Sequence, residues 1–422
     1  MSLAPTFREA LRFWLKLGCI SFGGPAGQIA IMHTELVDRK RWIDEERFLH
    51  ALNFCMLLPG PEATQLATYC GWRLHGIRGG LVAGGLFVLP SALLLWGLSW
   101  LYAAHGSAPL VAAIFTGLKP AVTAIVAAAV IHIGRRSLRG PLSWALAAGA
   151  FAAIYFLRMP FPVVVLVALI VGFFIGRKPA GAGAVDQTDR SDPSDRSDLS
   201  PAAPAALKIG CIGLALWFAP VAIAGLWQGW DGTLAQEGFF FSKAAMVTFG
   251  GAYAVLPYVG QQAVDHFAWL SAPQMLDGLG LAETTPGPLI MVVQFVGFLG
   301  AWNHPGSLSP LLAGTLGAAI TTWTTFVPCF LWIFLGAPHL EWLRSIKQLN
   351  AALAAVTAAV VGVVLNLAVW FGLHVFLPAT GGVNWFAVAV AVAAFAAMQL
   401  SKLGIVPVVA GAGMIGLLAG LL

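Results

Sequence analysis

Charge is what this chain lacks most. Asp, Glu, Lys and Arg together make up 10% of its 422 residues, against about 25% in a soluble globular domain. Three long stretches, 79–118, 284–338 and 348–401, contain none of the four. A helix that crosses a bilayer needs roughly 20 such residues, so each stretch holds more than one span. The short alternating segments of a membrane β-barrel are also missing. The five cysteines (Cys19, Cys55, Cys70, Cys211 and Cys329) show no CxxC or Cys/His spacing and read as small apolar fillers rather than metal ligands or disulfide partners. Neither HExxH, GxSxG nor a P-loop occurs, and the nine histidines are dispersed. That argues against a membrane-embedded enzyme and against any cofactor. The first twelve residues are polar and charged, without the apolar core of a removable signal peptide. The net charge of +5 is read as basic cytoplasmic loops rather than nucleic-acid binding.

The expected fold is therefore an all-α polytopic membrane protein. About 13 hydrophobic segments can be drawn, near 8–32, 47–75, 79–103, 109–133, 141–157, 160–176, 207–228, 238–261, 273–300, 308–335, 346–372, 383–400 and 403–422. Residues 179–206, with the run Asp189-Arg190-Ser191-Asp192-Pro193-Ser194, have the composition of a disordered polar linker. The linker divides a first transporter repeat, 1–178, from an orientation-inverting helix followed by a second repeat, 207–422.

The repeat is legible residue by residue. Lys16, Phe22, Gly23, Gly24, Asp38, Trp42, Pro59, Gly60 and Pro61 recur 227 positions later as Lys243, Phe249, Gly250, Gly251, Asp265, Trp269, Pro286, Gly287 and Pro288, with Ser21 matched by Thr248. Sixteen of the 23 Lys and Arg residues precede position 179, crowding the loops at Arg39-Lys40-Arg41, Arg73/Arg78 and Arg135-Arg136, whereas 261–272 and 301–307 have none. The halves thus obey the positive-inside rule with opposite signs, so two inverted-topology repeats are expected, with the N-terminus cytoplasmic. Gly23-Gly24-Pro25 and Pro59-Gly60-Pro61 interrupt the first two segments. These are either re-entrant hairpins or discontinuous spans, because Pro removes a backbone donor and Gly permits positive φ.

Broken helices inside hydrocarbon survive only where protein or a water-filled cavity satisfies the freed backbone. A helix restarting there presents free N–H groups to an anion. The expected substrate-binding set is Lys16, Ser21, Gly23, Gly24, Pro25, Pro59, Gly60, Pro61 and Gln65, with Lys243, Thr248, Gly250, Gly251, Thr285, Pro286, Gly287, Pro288 and Gln294 from the second half. Each break has a plainer reading as a proline kink, each lysine as a snorkelling side chain, and each Thr or Gln as a helix-packing group. Glu62 and Glu283 are the expected coupling carboxylates, placed asymmetrically because Leu289 stands where Glu62 recurs. Trp42 and Trp269, each four residues after an Asp, read as interfacial anchors, and Gly79-Gly80 and Gly84-Gly85 as close helix-packing sites.

Ser21-Phe22-Gly23-Gly24-Pro25, Trp42, Leu57-Leu58-Pro59-Gly60-Pro61 with Gln65, Thr248-Phe249-Gly250-Gly251 and Thr285-Pro286-Gly287-Pro288 together resemble the long-chain, two-domain kind of the chromate ion transporter family. The likeness spans nearly all of both halves. One departure is Ala252, where the first copy has Pro25. The resemblance implies chromate efflux across the bacterial inner membrane, energised by the membrane potential or a proton gradient, with sulfate as analogue or exchange partner. It also implies a link to chromate resistance, and some family members are single halves working in oppositely oriented pairs. The residues alone leave open a sulfate or oxyanion uptake carrier and an anion channel. The lipid bilayer is the expected surrounding, and a homodimer is compatible with the sequence.

Overall fold

A computed structural model describes residues 5–22, 24–106, 108–176, 203–337, 346–378, 381–401 and 403–421. Among them there are sixteen α-helices and no strand. In the first half these are α1 (Phe7–Ile20), α2 (Gly24–His33), α3 (Glu45–Cys55), α4 (Glu62–His105), α5 (Pro109–Ser137), α6 (Pro141–Tyr155) and α7 (Phe161–Ile175). After them come α8 (Ala203–Gln228), α9 (Thr233–Val247), α10 (Ala252–Gln261), α11 (Ala272–Thr284), α12 (Val292–Asn303), α13 (Pro310–Gly336), α14 (Lys347–Phe376), α15 (Trp385–Leu400) and α16 (Ile405–Leu421). Five helices are long and apolar enough to cross a membrane: Glu62–His105, Pro109–Ser137, Ala206–Gln228, Pro310–Gly336 and Gln348–Phe376. Most of the expected linker lies outside the described residues, as does Gly23; the last residues of the linker, from Ala203, already belong to α8.

Each segment that carries a Gly-Pro interruption is split in two. The first becomes α1 and α2, the second α3 and the start of α4, the eighth α9 and α10, and the ninth α11 and α12. The 227-residue register extends to details that no residue pattern announced. A turn of π-helix follows α2 at Thr34–Arg39 and α10 at Gln262–His266. Arg41 and Ala268, in register, both hold positive φ, at 52° and 51°. The Trp42 N–H donates to the Leu36 carbonyl at 2.9 Å, and the Trp269 N–H to the Ala263 carbonyl at 2.8 Å. α4 is really two helices, because His75 and Gly76 leave helical geometry. That kink falls where α12 ends in the second half.

Packing interlocks the halves. α5 lies against α15 and α16, while α14 lies against α6, α7 and α5. Helices in a bilayer gain no hydrophobic drive from meeting each other, so close approach through small residues carries the association. Gly117 of α5 faces Ala412 and Gly416 of α16, Gly362 of α14 faces Ala147 of α6, and Gly172 of α7 faces Ala351, Ala352 and Ala355 of α14. Gly79, Gly80 and Gly84 also serve close contacts, with Gly71, Phe334 and Phe330 respectively, whereas a Cβ on Gly85 would meet nothing.

Trp269 departs from the sequence expectation. It is buried, 2% exposed, and stacks on Phe267 with ring centroids 4.3 Å apart, beside Phe240 and Phe241. Packing against α9 covers the indole that was expected to face outward as an anchor. Trp42 keeps part of its surface and lies under the Lys40 ammonium, 4.7 Å from the ring.

Because a side chain at position 117 would collide with the Ala412 carbonyl, Gly117→Val should lower stability by about 1–3 kcal/mol, the usual range for overpacking. Gly85→Ala should be nearly silent. Thermal unfolding of the purified variants reads both.

Candidate functional site at the helix breaks

The four breaks meet in crossed pairs. The Gly60 N–H donates to the Thr248 carbonyl at 2.8 Å, and the Gly287 N–H donates to the Ser21 carbonyl at 2.7 Å. These are the same bond written twice in the 227-residue register. The second break of each half is therefore tied to the first break of the other. Gly60 has φ of +118° and Gly287 of +99°, a region that L side chains avoid. At Gly287 a Cβ would also strike Ser91 of α4, and at Gly60 it would lie 3.1 Å from Cys329 Sγ. Both conformation and space demand glycine here.

Side chains complete the frame unevenly. Gln28 of α2, wholly buried, donates from Nε2 to the Gly287 carbonyl, and its Oε1 has no partner. Gln65, also wholly buried, donates to the Pro59 carbonyl at 2.8 Å, and its Oε1 is likewise free. Ser21 and Thr248 both donate their hydroxyls back to their own helices, to the Leu17 and Ala244 carbonyls at 2.6 Å each. They contribute backbone carbonyls to the crossed pairs while their hydroxyl protons are spent. Thr285 does the same, donating to Ala282.

α2, α4 and α10 begin at breaks, and a 3-10 turn, Leu289–Met291, leads from the fourth break into α12. First-turn N–H groups at such ends lack intrahelical partners and carry the positive end of the helix dipole. Glu62 is the acidic residue in the first turn of α4, and its Oε1 lies 3.4 Å from where a Cβ on Gly251 would stand, at the start of α10. Glu283 is buried near the end of α11 and accepts a hydrogen bond from the Tyr253 hydroxyl at 2.5 Å.

The structure brings together Ser21, Gly60, Pro59, Gln65, Thr248 and Gly287, with Glu62 beside Gly251. Gly24, Pro25, Pro61, Gly250, Thr285, Pro286 and Pro288 belong to the same four breaks in sequence. Lys16 and Lys243 are set apart. Both are exposed on the outer faces of α1 and α9, because those helices bury the opposite stripes, Phe13-Trp14-Leu17 and Phe240-Phe241-Ala244. Gln294 is also separate. It bridges helices by donating to the Ala92 carbonyl at 2.7 Å and accepting from the Thr322 hydroxyl at 3.1 Å.

Gln28 escaped the sequence reading. It has no repeat partner, since Val255 stands in register, and only the fold brings it to Gly287. Lys119 and Asp277 escaped for the same reason: they are far apart in the chain yet lie 3.5 Å apart across α5 and α11. Replacing Gln28 by Leu would leave the buried Gly287 carbonyl without this donor, so Gln28→Leu should cost about 1–3 kcal/mol in thermal unfolding. An unchanged midpoint would mean that the bond is not made.

Comparison with known proteins gives this arrangement a family. The chromate transporter family model matches residues 8–173 and 236–417. A chromate transport protein of Cupriavidus metallidurans is 28% identical over 421 residues, 99% of this chain and 94% of that relative. One from Pseudomonas aeruginosa is 34% identical over 359 residues, covering 83% of this chain and 77% of the relative. A probable chromate transport protein of Synechococcus elongatus is 29% identical, covering 87% of this chain and 85% of that protein. No solved structure gives a significant match. The matched regions include all four breaks and omit the whole polar stretch 179–206 together with α8, and the chain belongs to the chromate transporter family.

Proposed function

We propose that the protein is a secondary transporter that exports chromate from the cytoplasm, driven by the membrane potential or the proton gradient, with sulfate as analogue or exchange partner. The observation that carries this reading is the crossed pairing of the four helix breaks, Gly60 to Thr248 and Gly287 to Ser21, in a chain of this family. A duplicated membrane protein with broken helices meeting between its halves has the architecture in which substrates bind at the repeat interface and one half rocks against the other. The halves are read as oppositely oriented, which the opposed distribution of Lys and Arg supports, and α8 supplies the odd crossing.

The chemistry suits a dianion. Helix starts at the breaks offer N–H groups and a partial positive charge without a dedicated cation. Glu62 and Glu283 are the proposed coupling carboxylates, one opposite the start of α10 and the other buried near the fourth break. The setting is the bacterial inner membrane, with the N-terminus and the Arg39-Lys40-Arg41 loop on the cytoplasmic side, where basic residues would gather the anion.

Chromate accumulation by resting bacterial cells tests the reading, with the protein present or absent, with and without an uncoupler, across a sulfate series. Lower accumulation that returns to the control level with the uncoupler supports energised export. Equal or higher accumulation overturns export in favour of oxyanion uptake or a channel. Gly60→Val should abolish transport, and a variant that transports at the wild-type rate removes the breaks as the site. Glu62→Gln should flatten the pH dependence of transport; an unaltered profile takes Glu62 out of coupling.

A further inference from the structure

A second polar cluster lies outside the breaks. Asp277, on α11, is 3% exposed. Its Oδ2 accepts from the Tyr102 hydroxyl of α4 at 2.8 Å and lies 3.5 Å from Lys119 Nζ of α5. Both donors come from the first half and the acid from the second. Ion pairs also link His33, Glu35, Asp38, Arg39, Asp44, Glu45 and Arg47, around the π-helical turn and the start of α3. Asp277 lies in the interior, where removing a charge from water is costly.

The partners are unevenly shared. Both donors approach Oδ2, while Oδ1 is buried with no partner. Leaving a buried acceptor without a partner is costly. A proton on Oδ1 would remove the negative charge and leave Oδ2 to accept from Tyr102. Lys119 would then lose its counter-ion. Its side chain keeps 28% of its surface exposed, against 5% for Asp277, so the ammonium is the member that an arriving anion meets. The α5 helix grips α11 at this level, with Val122 and Leu118 against Gly280. Asp277 is seven residues from the end of α11 at Thr284, on the order of 10 Å at 1.5 Å per residue.

We infer that Lys119 and Asp277 form a conditional ion pair that links one proton to each transported oxyanion: Asp277 takes the proton on Oδ1 and Lys119 turns to the dianion. This rests on the transport reading above and narrows it. The proton comes from water, one O–H bond forms on the carboxyl, and the dianion replaces the carboxylate as the counter-ion of Lys119. Proton and anion then favour each other's binding and travel together, with a net charge of one negative unit for a dianion. Export of that complex is drawn by an inside-negative potential and opposed by an inward proton gradient, so the potential is the driving term.

Among the described residues the field at Asp277 comes from few groups. α5 contributes Lys119 and α4 contributes Tyr102, with His105 three residues further on at the end of α4. α12 and α16 carry no titratable residue. α14 carries Lys347 and His374, at its two ends, and Glu283 lies six residues further along α11.

Proton counting on the purified full-length protein tests the inference. Chromate is added to weakly buffered protein with a pH indicator, and chromate binding is followed separately by thermal shift. Wild type should take up protons on binding, and Asp277→Asn should take up about one fewer per bound chromate. The neutral pair Lys119→Met/Asp277→Asn avoids stranding a buried charge. It should unfold near the wild-type temperature, bind chromate roughly tenfold more weakly and show the same missing proton. Asp277→Asn binding chromate with an unchanged proton count overturns the inference and leaves the proposed function standing, as does proton release by wild type. A wild type that binds no chromate overturns both.

Discussion

Everything in this structure depends on where the freed backbone groups at the helix breaks find partners. Inside hydrocarbon no water is available, and an unsatisfied N–H or C=O costs several kcal/mol. The chain answers by letting the halves satisfy each other. Gly60 gives its N–H to Thr248, and Gly287 gives its N–H to Ser21. Neither half alone could pair its own breaks in this way. Joining the halves is thus a requirement of backbone chemistry as well as of packing, and the interlocked α5 and α14 arms, which close on the opposite half through Gly117 and Gly362, follow the same crossed plan.

This crossed plan is also what makes the breaks a suitable binding frame. Positive φ at Gly60 and Gly287 turns the chain sharply enough for α4, and for the turn leading into α12, to begin inside the protein. A restarting helix leaves its first N–H groups without intrahelical partners. The two crossed bonds spend one N–H from each Pro-Gly-Pro break and leave the first-turn donors of the helices for a ligand. Gln28 and Gln65 reinforce the frame by donating to the Gly287 and Pro59 carbonyls.

Much of this was legible in the sequence, for physical reasons. Gly and Pro constrain the backbone directly, so the four breaks could be read from residue type, and a constant spacing of 227 fixed which positions correspond. The crossed partners could not be read: the pattern gives equivalence between halves, whereas a contact depends on how one half turns over against the other. The same limit explains Trp269, whose neighbours Phe240 and Phe267 bury it on assembly. It explains Lys16 as well, where the sequence placed a cation near a break but could not say which face of α1 would turn outward. Gln28, Lys119 and Asp277 lack counterparts of the same type in the other half, so a reading built on repetition passed over them.

The departures from symmetry carry as much argument as the symmetry. Across the register, Glu62 faces Leu289, Glu283 faces Met56, Asp277 faces His50 and Glu237 faces Ala10. Three buried acids thus belong to the second half, whereas the basic loops belong to the first. Backbone geometry is duplicated because both halves must solve the same hydrogen-bonding problem. The buried acids are not, and in the proposed inverted arrangement identical halves would present the same surface to both sides of the membrane. In the proposed cycle the repeated glycines and prolines make the frame that can rock. The unrepeated acids give that frame a direction, because only they let a proton or a counter-charge distinguish one face from the other.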